Sequence, residues 1–116
     1  MTAGSEFRGM ADRFRAAPDK AAGMVRAATT KAVVDTQRLA RERAPVDTGY
    51  LRASIFTREG AQGATWWGEA QVGAEYAYWV ENGTSTQAPQ PYMRPAHEQV
   101  RPVFVQMIEQ IGGRVL

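Results

Sequence analysis

The sequence contains no cysteine, a single histidine and no apolar run long enough to cross a bilayer. The absence of cysteine excludes a disulfide framework and every thiolate zinc site, and one histidine cannot build a histidine-rich metal site. No GxSxG nucleophile elbow and no phosphate-binding P-loop are present. We therefore expect no cofactor, no metal and no enzymatic activity, and a protein that is made and used in water rather than in a membrane.

Three residues that could in principle take part in catalysis are more simply explained as structural or surface residues. His97 stands beside Glu98 at the start of a helical pattern, and Ser54 and Ser85 fall in a strand and a loop. None of them has a partner residue at a spacing typical of catalysis, so we interpret each as a structural or surface residue.

Length and charge bound the architecture. A chain of 116 residues has the size of one domain. Its net charge of +2 divides unevenly, because residues 1–58 hold eleven Lys/Arg against six Asp/Glu, and residues 59–116 hold three against six. A basic half and an acidic half would suit head-to-tail contact between copies. A basic helix that is merely solvated would give the same count.

The first half of the chain has the composition of helices. Apolar residues from Phe7 to Phe14 recur at helical spacing, which predicts an N-terminal helical arm over residues 1–17 and a separate domain over 18–116. From Asp19 to Arg43 the chain is rich in Ala, Lys, Arg, Gln and Glu, which predicts a long helix that ends before Pro45.

The middle of the chain predicts a hairpin. Residues 46–49 have turn chemistry, residues 52–58 predict a strand, residues 60–63 predict the connection, and residues 64–73 predict an antiparallel second strand. Residues 75–82 predict a short helix closed by Gly83 in a left-handed conformation. After a loop over residues 84–91, a last helix begins near Pro95, is kinked at Pro102 and stops at Gly112. The sum is a single α+β domain, in which a small antiparallel sheet is flanked by a long N-terminal helix and a C-terminal helix.

Aromatic residues are concentrated between residues 66 and 92. A domain this small cannot bury all of them, and Trp and Tyr dominate protein interfaces, although a single aromatic core with polar tips would also explain the cluster. The candidate interface residues are Trp66, Trp67, Trp79 and Tyr92.

The long helix is the candidate surface for nucleic acid. Its candidate contacts to a DNA path or to an acidic partner are Arg26, Lys31, Arg38 and Arg41. Acidic residues are interspersed among them, and no recognition motif lies nearby. A monomeric nucleic-acid-binding module that uses the basic helix 20–43 therefore remains as the alternative function.

Three motifs occur in series along the chain. The first is Ala-Pro-Val-Asp-Thr-Gly-x-Leu-Arg-x-Ser-Ile (44–55), the second is Tyr-Ala-x-x-Val-Glu-x-Gly-Thr (76–84), and the third is Pro-x-Met-Arg-Pro-Ala (91–96). Together they resemble the head–tail joining family of long-tailed bacteriophages, whose members are minor tail, tail-completion or neck proteins. The motif positions that this sequence matches are Pro45, Asp47, Thr48, Gly49, Leu51, Arg52, Ser54, Tyr76, Glu81, Gly83, Thr84, Pro91, Arg94 and Pro95.

The resemblance implies a structural virion protein at the head–tail junction that is assembled in the host cytoplasm. It implies a ring, most often of six copies, between the head connector or stopper protein and the tail tube or terminator protein. Non-specific contact with DNA in the channel would be compatible with that position.

The residues themselves suggest how the first two motifs work. Leu51, Ile55 and Tyr76 are candidate core residues. An ion pair between Arg52 and Glu81 would bring the two motifs together.

Overall fold

The computed structural model describes residues 12–16, 22–46, 49–63 and 65–115. In chain order its elements are β1 (Asp12–Ala16), α1 (Ala22–Arg43), α2 (Tyr50–Ala53), β2 (Ile55–Gln62), β3 (Thr65–Val72), α3 (Ala77–Asn82) and α4 (Met93–Val115). The three strands form one sheet in the order β1-β3-β2, and both pairings are antiparallel. The predicted α+β class, with a small antiparallel sheet flanked by two long helices, is confirmed.

Helix α1 lies against the sheet through small side chains. A Cβ at Gly68 of β3 would come within 2.8 Å of Val33 and 2.9 Å of Thr29, so only glycine allows this close approach. The buried hydroxyls of Thr29 and Thr36 donate to the carbonyls of Val25 and Ala32 one turn earlier. Because these hydroxyls are satisfied inside the helix, α1 presents methyl groups to the sheet.

The N-terminal segment is a strand where the sequence pattern predicted a helix. Residues 12–16 pair with β3 in a register that runs from Asp12 opposite Ala70 to Ala16 opposite Trp66. The predicted helical arm over residues 1–17 is therefore wrong for 12–16, and its other residues lie outside the described part of the chain. The strand belongs to the sheet because β3 offers it an unpaired edge, which is a long-range contact that local periodicity does not report.

The hairpin exists, but its boundaries differ from the prediction. Residues 50–53 form a short helix, and β2 begins only at Ile55 and continues through Gln62. The predicted connection over 60–63 is therefore mostly strand, and the chain turns after Gln62, with Gly63 at a φ of 60°. The second strand is confirmed.

Two side chains of α1 fasten the start of β2. The side chains of Gln37 and Arg41 both donate to the carbonyl oxygen of Ile55, each at 2.9 Å. This oxygen thus ties the helix to the sheet at the end nearest the first motif.

The last helix is longer than predicted at both ends. Helix α4 begins at Met93, two residues before Pro95, and continues through Gly112 to Val115. The prediction that Gly112 stops the helix is wrong, because Ile108 and Ile111 pack on the core beside α1 and hold the last turns in place. Pro102 lies inside the helix as predicted.

The interior divides into two clusters. The helical core lies between α1 and α4 and comprises Ala28, Ala32, Val33, Val100 and Phe104. The motif core lies around the first two motifs and comprises Ala40, Ala44, Leu51, Ile55, Ala70, Val72, Ala74, Ala77, Tyr92, Met93 and Ala96. Leu51 and Ile55 are core residues as predicted. Tyr76 is not, because its side chain lies at the surface. Within the described residues, no helix is both long and apolar enough to span a bilayer.

Candidate docking cleft

The first motif leads the chain from α1 into the sheet. Helix α1 ends at Arg43, and Pro45 follows it. Gly49 adopts a φ of 83°, a left-handed conformation that favours glycine, and begins the turn of α2. The Ser54 hydroxyl donates to the Leu51 carbonyl at 2.7 Å and closes that turn. Asp47 and Thr48 lie outside the described residues.

The second motif carries a buried carboxylate that the sequence analysis misassigned. Glu81 accepts backbone N–H bonds from Tyr92 at 3.1 Å, from Met93 at 2.9 Å and from Arg94 at 3.1 Å. These are the first N–H groups of α4, which have no partner within the helix, and a negative charge is favourable there.

The predicted ion pair between Arg52 and Glu81 is not formed. Arg52 is exposed, whereas Glu81 is buried and its two oxygens are occupied by backbone donors. The carboxylate joins the second motif to the third rather than to the first.

Tyr92 is the aromatic residue that the interface prediction placed wrongly. Its side chain is fully buried, and its hydroxyl donates to the Ala77 carbonyl at 3.2 Å. Burial raises the pKa of the Tyr92 hydroxyl, and the charges of Glu81 and Tyr76 raise it further. Tyr92 therefore stabilises the junction between α3 and α4 and is not available to a partner.

Gly83 shapes the loop between these helices. Its φ is 78° and its ψ is 173°, which is an extended glycine conformation and not the predicted left-handed helical cap. A Cβ there would lie 2.8 Å from the backbone nitrogen of Pro89. The loop is closed by the N–H of Thr84 donating to Gln87 and the N–H of Gln90 donating to Val80.

Arg94 and Pro95 of the third motif lie in the first turn of α4. The guanidinium of Arg94 reaches the side-chain oxygen of Asn82 at 3.4 Å. Pro91 is exposed and immediately precedes the N–H groups that Glu81 binds.

An open cleft of about 710 Å³ separates the first motif from α3 and the loop. The rings of Tyr50 and Tyr76 lie 6.1 Å apart at this site. The described residues that line the cleft carry no charge, and they are Pro45, Val46, Gly49, Tyr50, Leu51, Tyr76, Val80, Gln87, Ala88 and Gln90.

Large apolar side chains are exposed in and beside the cleft. Val46 and Tyr50 are each 56% exposed, Tyr76 is 42% exposed, and the neighbouring Trp79 is 50% exposed. Trp79 has an edge contact with Tyr78, at 5.0 Å between ring centroids. We call these four residues, Val46, Tyr50, Tyr76 and Trp79, the cleft patch. Several exposed large apolar side chains in one region are typical of a contact site.

The two adjacent tryptophans lie outside this patch. Both are half-buried, on opposite faces of β3, and each stacks with an arginine: Arg26 lies 4.3 Å from the Trp66 ring and Arg58 lies 5.9 Å from the Trp67 ring. Trp66 also donates to Glu59 at 3.4 Å. Their role as interface residues remains a prediction.

The candidate DNA contacts on α1 are engaged within the domain. Lys31 pairs with Asp35 at 2.8 Å, and Arg38 pairs with Glu42 at 3.1 Å. Arg26 stacks on Trp66, and Arg41 donates to Ile55. The helix is therefore less cationic toward solvent than its composition suggests, which disfavours the alternative of a nucleic-acid module built on residues 20–43.

The described residues offer little metal chemistry. They contain no group of three or more His, Asp or Glu side chains that could hold a metal ion. His97 is half-buried, and burial, together with the nearby Arg101, lowers its pKa, while Glu98 opposes that shift.

The fold and the cleft define a class of small α+β proteins in which the motif residues shape the backbone around an open cleft. The chain belongs to the family described as "Bacteriophage HK97-gp10, putative tail-component", whose model matches residues 8–83. The match confirms the resemblance inferred from the first two motifs, and the third motif lies beyond it. It assigns the chain a structural role in the phage tail. No curated protein and no solved structure matches the chain.

Proposed function

We propose that this chain is a non-enzymatic neck protein that forms a ring, completes or terminates the tail, and joins the tail tube to the head connector. In this proposal six copies form the ring, which is assembled in the host cytoplasm and becomes part of the virion. The partners are the connector or stopper protein on one side and the tube or terminator protein on the other.

The cleft patch carries the proposal. Its four large side chains are each 42–56% exposed in a domain that buries two complete cores elsewhere. Fully burying one such side chain contributes about 1.5–3 kcal/mol, so covering the patch would favour association substantially. The exposed loop over residues 84–91, which is uncharged, extends the same surface.

A matched pair of valines tests the proposal. Val46 is 56% exposed in the patch, and Val103 is 48% exposed on α4 and does not line the cleft. We expect Val46→Ser to weaken assembly about tenfold or more per interface, because a buried methyl pair is lost, and Val103→Ser to leave it unchanged. Light scattering after size-exclusion chromatography, over a range of chain and salt concentrations, measures the mass of the assembly.

Other results would contradict the proposal. A chain that stays a monomer at every concentration, alone and with purified connector and tube proteins of the same phage, does not form the ring. A monomer whose mass changes only when DNA is added would support the nucleic-acid-binding alternative. If Val46→Ser and Val103→Ser weakened assembly equally, the cleft patch would not be the contact between copies.

A further inference from the structure

The loop between α3 and α4 belongs to the longest uncharged stretch of the sequence. No Asp, Glu, Lys, Arg or His occurs from Asn82 to Met93, in a chain of which 22% is charged. Within that stretch, residues 84–91 are all exposed. Charged residues are depleted at the centre of protein interfaces, so an exposed segment without them is suited to being covered by a partner.

The first part of this loop is a hydrogen-bonded turn. The N–H of Thr84 donates to the carbonyl of Gln87 at 2.9 Å, and the N–H of Gln87 donates to the carbonyl of Thr84 at 3.4 Å. The N–H of Thr86 donates to the Thr84 hydroxyl at 3.3 Å. These bonds place Ser85 and Thr86 at the tip of the turn. We call residues 84–87 the loop turn. A segment that is already held in one conformation loses little entropy when it docks.

The loop is one wall of its own cleft and does not fill it. Gln87, Ala88 and Gln90 line the cleft, and the N–H of Gln90 donates to the carbonyl of Val80 at 2.8 Å, which holds the wall in place. The tip of the loop turn is not among the described residues that line the cleft. One copy therefore presents the cleft and the loop turn as two separate surfaces, which is what a head-to-tail contact requires.

The cleft has the size and the chemistry to receive such a turn. Its volume of about 710 Å³ lies in the range of clefts that enclose a small ligand, and a single turn of the chain is of that size. The rings of Tyr50 and Tyr76 offer rigid contact area, and Ser and Thr side chains adapt their hydrogen bonds to such a surface. A charged segment would lose its hydration there without gaining an opposite charge from the described lining.

We infer that the loop turn of one copy docks in the cleft of the next copy, head to tail. The inference rests on the proposed function, in which the cleft patch is the contact between copies, and it names the segment that the cleft receives. Each copy gives its loop turn to one neighbour and accepts the loop turn of the other. Such contacts close into a ring when the rotation between copies permits it, and otherwise they form an open filament.

Two single charges test the two sides of the contact separately. Val46→Lys places a charge in the cleft, and Ser85→Lys places one at the tip of the loop turn without removing a bond that holds the turn. Each should weaken self-association about tenfold or more, because the contact must desolvate an unpaired charge. Val103→Lys is the matched control, since Val103 is exposed on α4 and does not line the cleft. It should assemble as the unmodified chain does.

Mixing the two variants tests the direction of the contact. Val46→Lys keeps an intact loop turn, and Ser85→Lys keeps an intact cleft. Each alone should remain a monomer at concentrations at which the unmodified chain forms assemblies of more than two copies. An equimolar mixture can form one intact contact, so it should reach the mass of two copies and stop there. Light scattering after size-exclusion chromatography measures these masses, and circular dichroism must show that all variants remain folded.

The outcomes separate this inference from the proposed ring. If Val46→Lys lost assembly and Ser85→Lys kept it, another segment or another protein would fill the cleft, and this inference alone would fail. It would also fail if the mixture stayed monomeric or if the unmodified chain stopped at two copies. An open filament that both variants abolish would support the docking and contradict the ring. An unmodified chain that is a monomer at every concentration would contradict both.

Discussion

The two ends of the domain are held in different ways. At the motif end, around the motif core, the buried carboxylate of Glu81 and the positive-φ glycines Gly49 and Gly83 set the path of the chain. At the helical end, around the helical core, α1 and α4 meet through apolar side chains. Glu81 accepts three backbone N–H bonds across a loop. The helical core contains Val33, Val100 and Phe104, with Met107 and Ile108 at its edge. Apolar packing stabilises a fold without fixing one geometry, and directional bonds fix geometry at a high cost when they are broken. The cleft patch lies at the end where geometry is fixed.

This comparison predicts that removing one polar side chain lowers the free energy of unfolding most at the motif end. Glu81→Ala leaves the first N–H groups of α4 without their acceptor, and hydrogen bonds to charged groups contribute about 1.5–3 kcal/mol each. We expect a loss of about 3 kcal/mol or more in the free energy of unfolding, measured by urea titration. Glu81→Gln keeps an acceptor oxygen and should lose less.

Glu75→Ala is the control, because Glu75 is an exposed carboxylate just before α3. Surface substitutions change stability by about 0.5 kcal/mol or less. If Glu81→Ala behaved like Glu75→Ala, the carboxylate would not be what joins α3 to α4.

Two glycines should respond to alanine with opposite signs. At Gly83 the backbone is in a glycine conformation and a Cβ would meet Pro89, so Gly83→Ala should destabilise by about 2 kcal/mol. At Gly112 nothing lies within 4 Å of the Cβ position and the residue is helical, so Gly112→Ala should stabilise by about 0.5–1 kcal/mol. Thermal and urea unfolding of both variants would measure the pair. If Gly83→Ala and Gly112→Ala changed the free energy of unfolding in the same direction, the contrast between the motif end and the helical end would be contradicted.

The smallest expected effect is a pH dependence of stability that comes from His97. This residue lies in α4 between the motif core and the helical core. Burial lowers the pKa of His97, so the folded state prefers the neutral ring. Below its ordinary pKa near 6.5 the unfolded chain takes up this proton more readily, and stability should fall as the pH falls. His97→Gln has no titrating group at this position and so lacks this pH dependence. The free energy of unfolding of the unmodified chain should therefore fall relative to that of His97→Gln between pH 7.5 and pH 5.5. A constant difference would show that the folded environment does not shift His97.

The elements that the sequence predicted well are those with strong local signals. Helix α1 has high helix propensity and ends before Pro45, and β3 has alternating residues beside a glycine turn. The first two motifs identified the family, because turn residues in a fixed order are specific even where composition is ordinary.

The elements that it missed depend on distant partners. The strand over 12–16 exists because β3 offers an edge 50 to 58 residues further along the chain. Glu81 was assigned to Arg52 by opposite charge, whereas its donors are backbone groups 11–13 residues away that no side-chain pattern reveals. The exposure of Tyr76 and the burial of Tyr92 depend on which side of α3 meets α4, which the sequence does not encode locally.

The carbonyl of Ile55, already occupied by Gln37 and Arg41, limits how the sheet could grow. An outer strand normally exposes a continuous row of peptide groups on which a foreign chain can polymerise. In this protein, side chains of α1 occupy the first carbonyl of β2. A foreign strand could therefore pair with β2 only beyond Ile55. The fold thereby has a built-in obstacle to fibre formation at the first residues of β2.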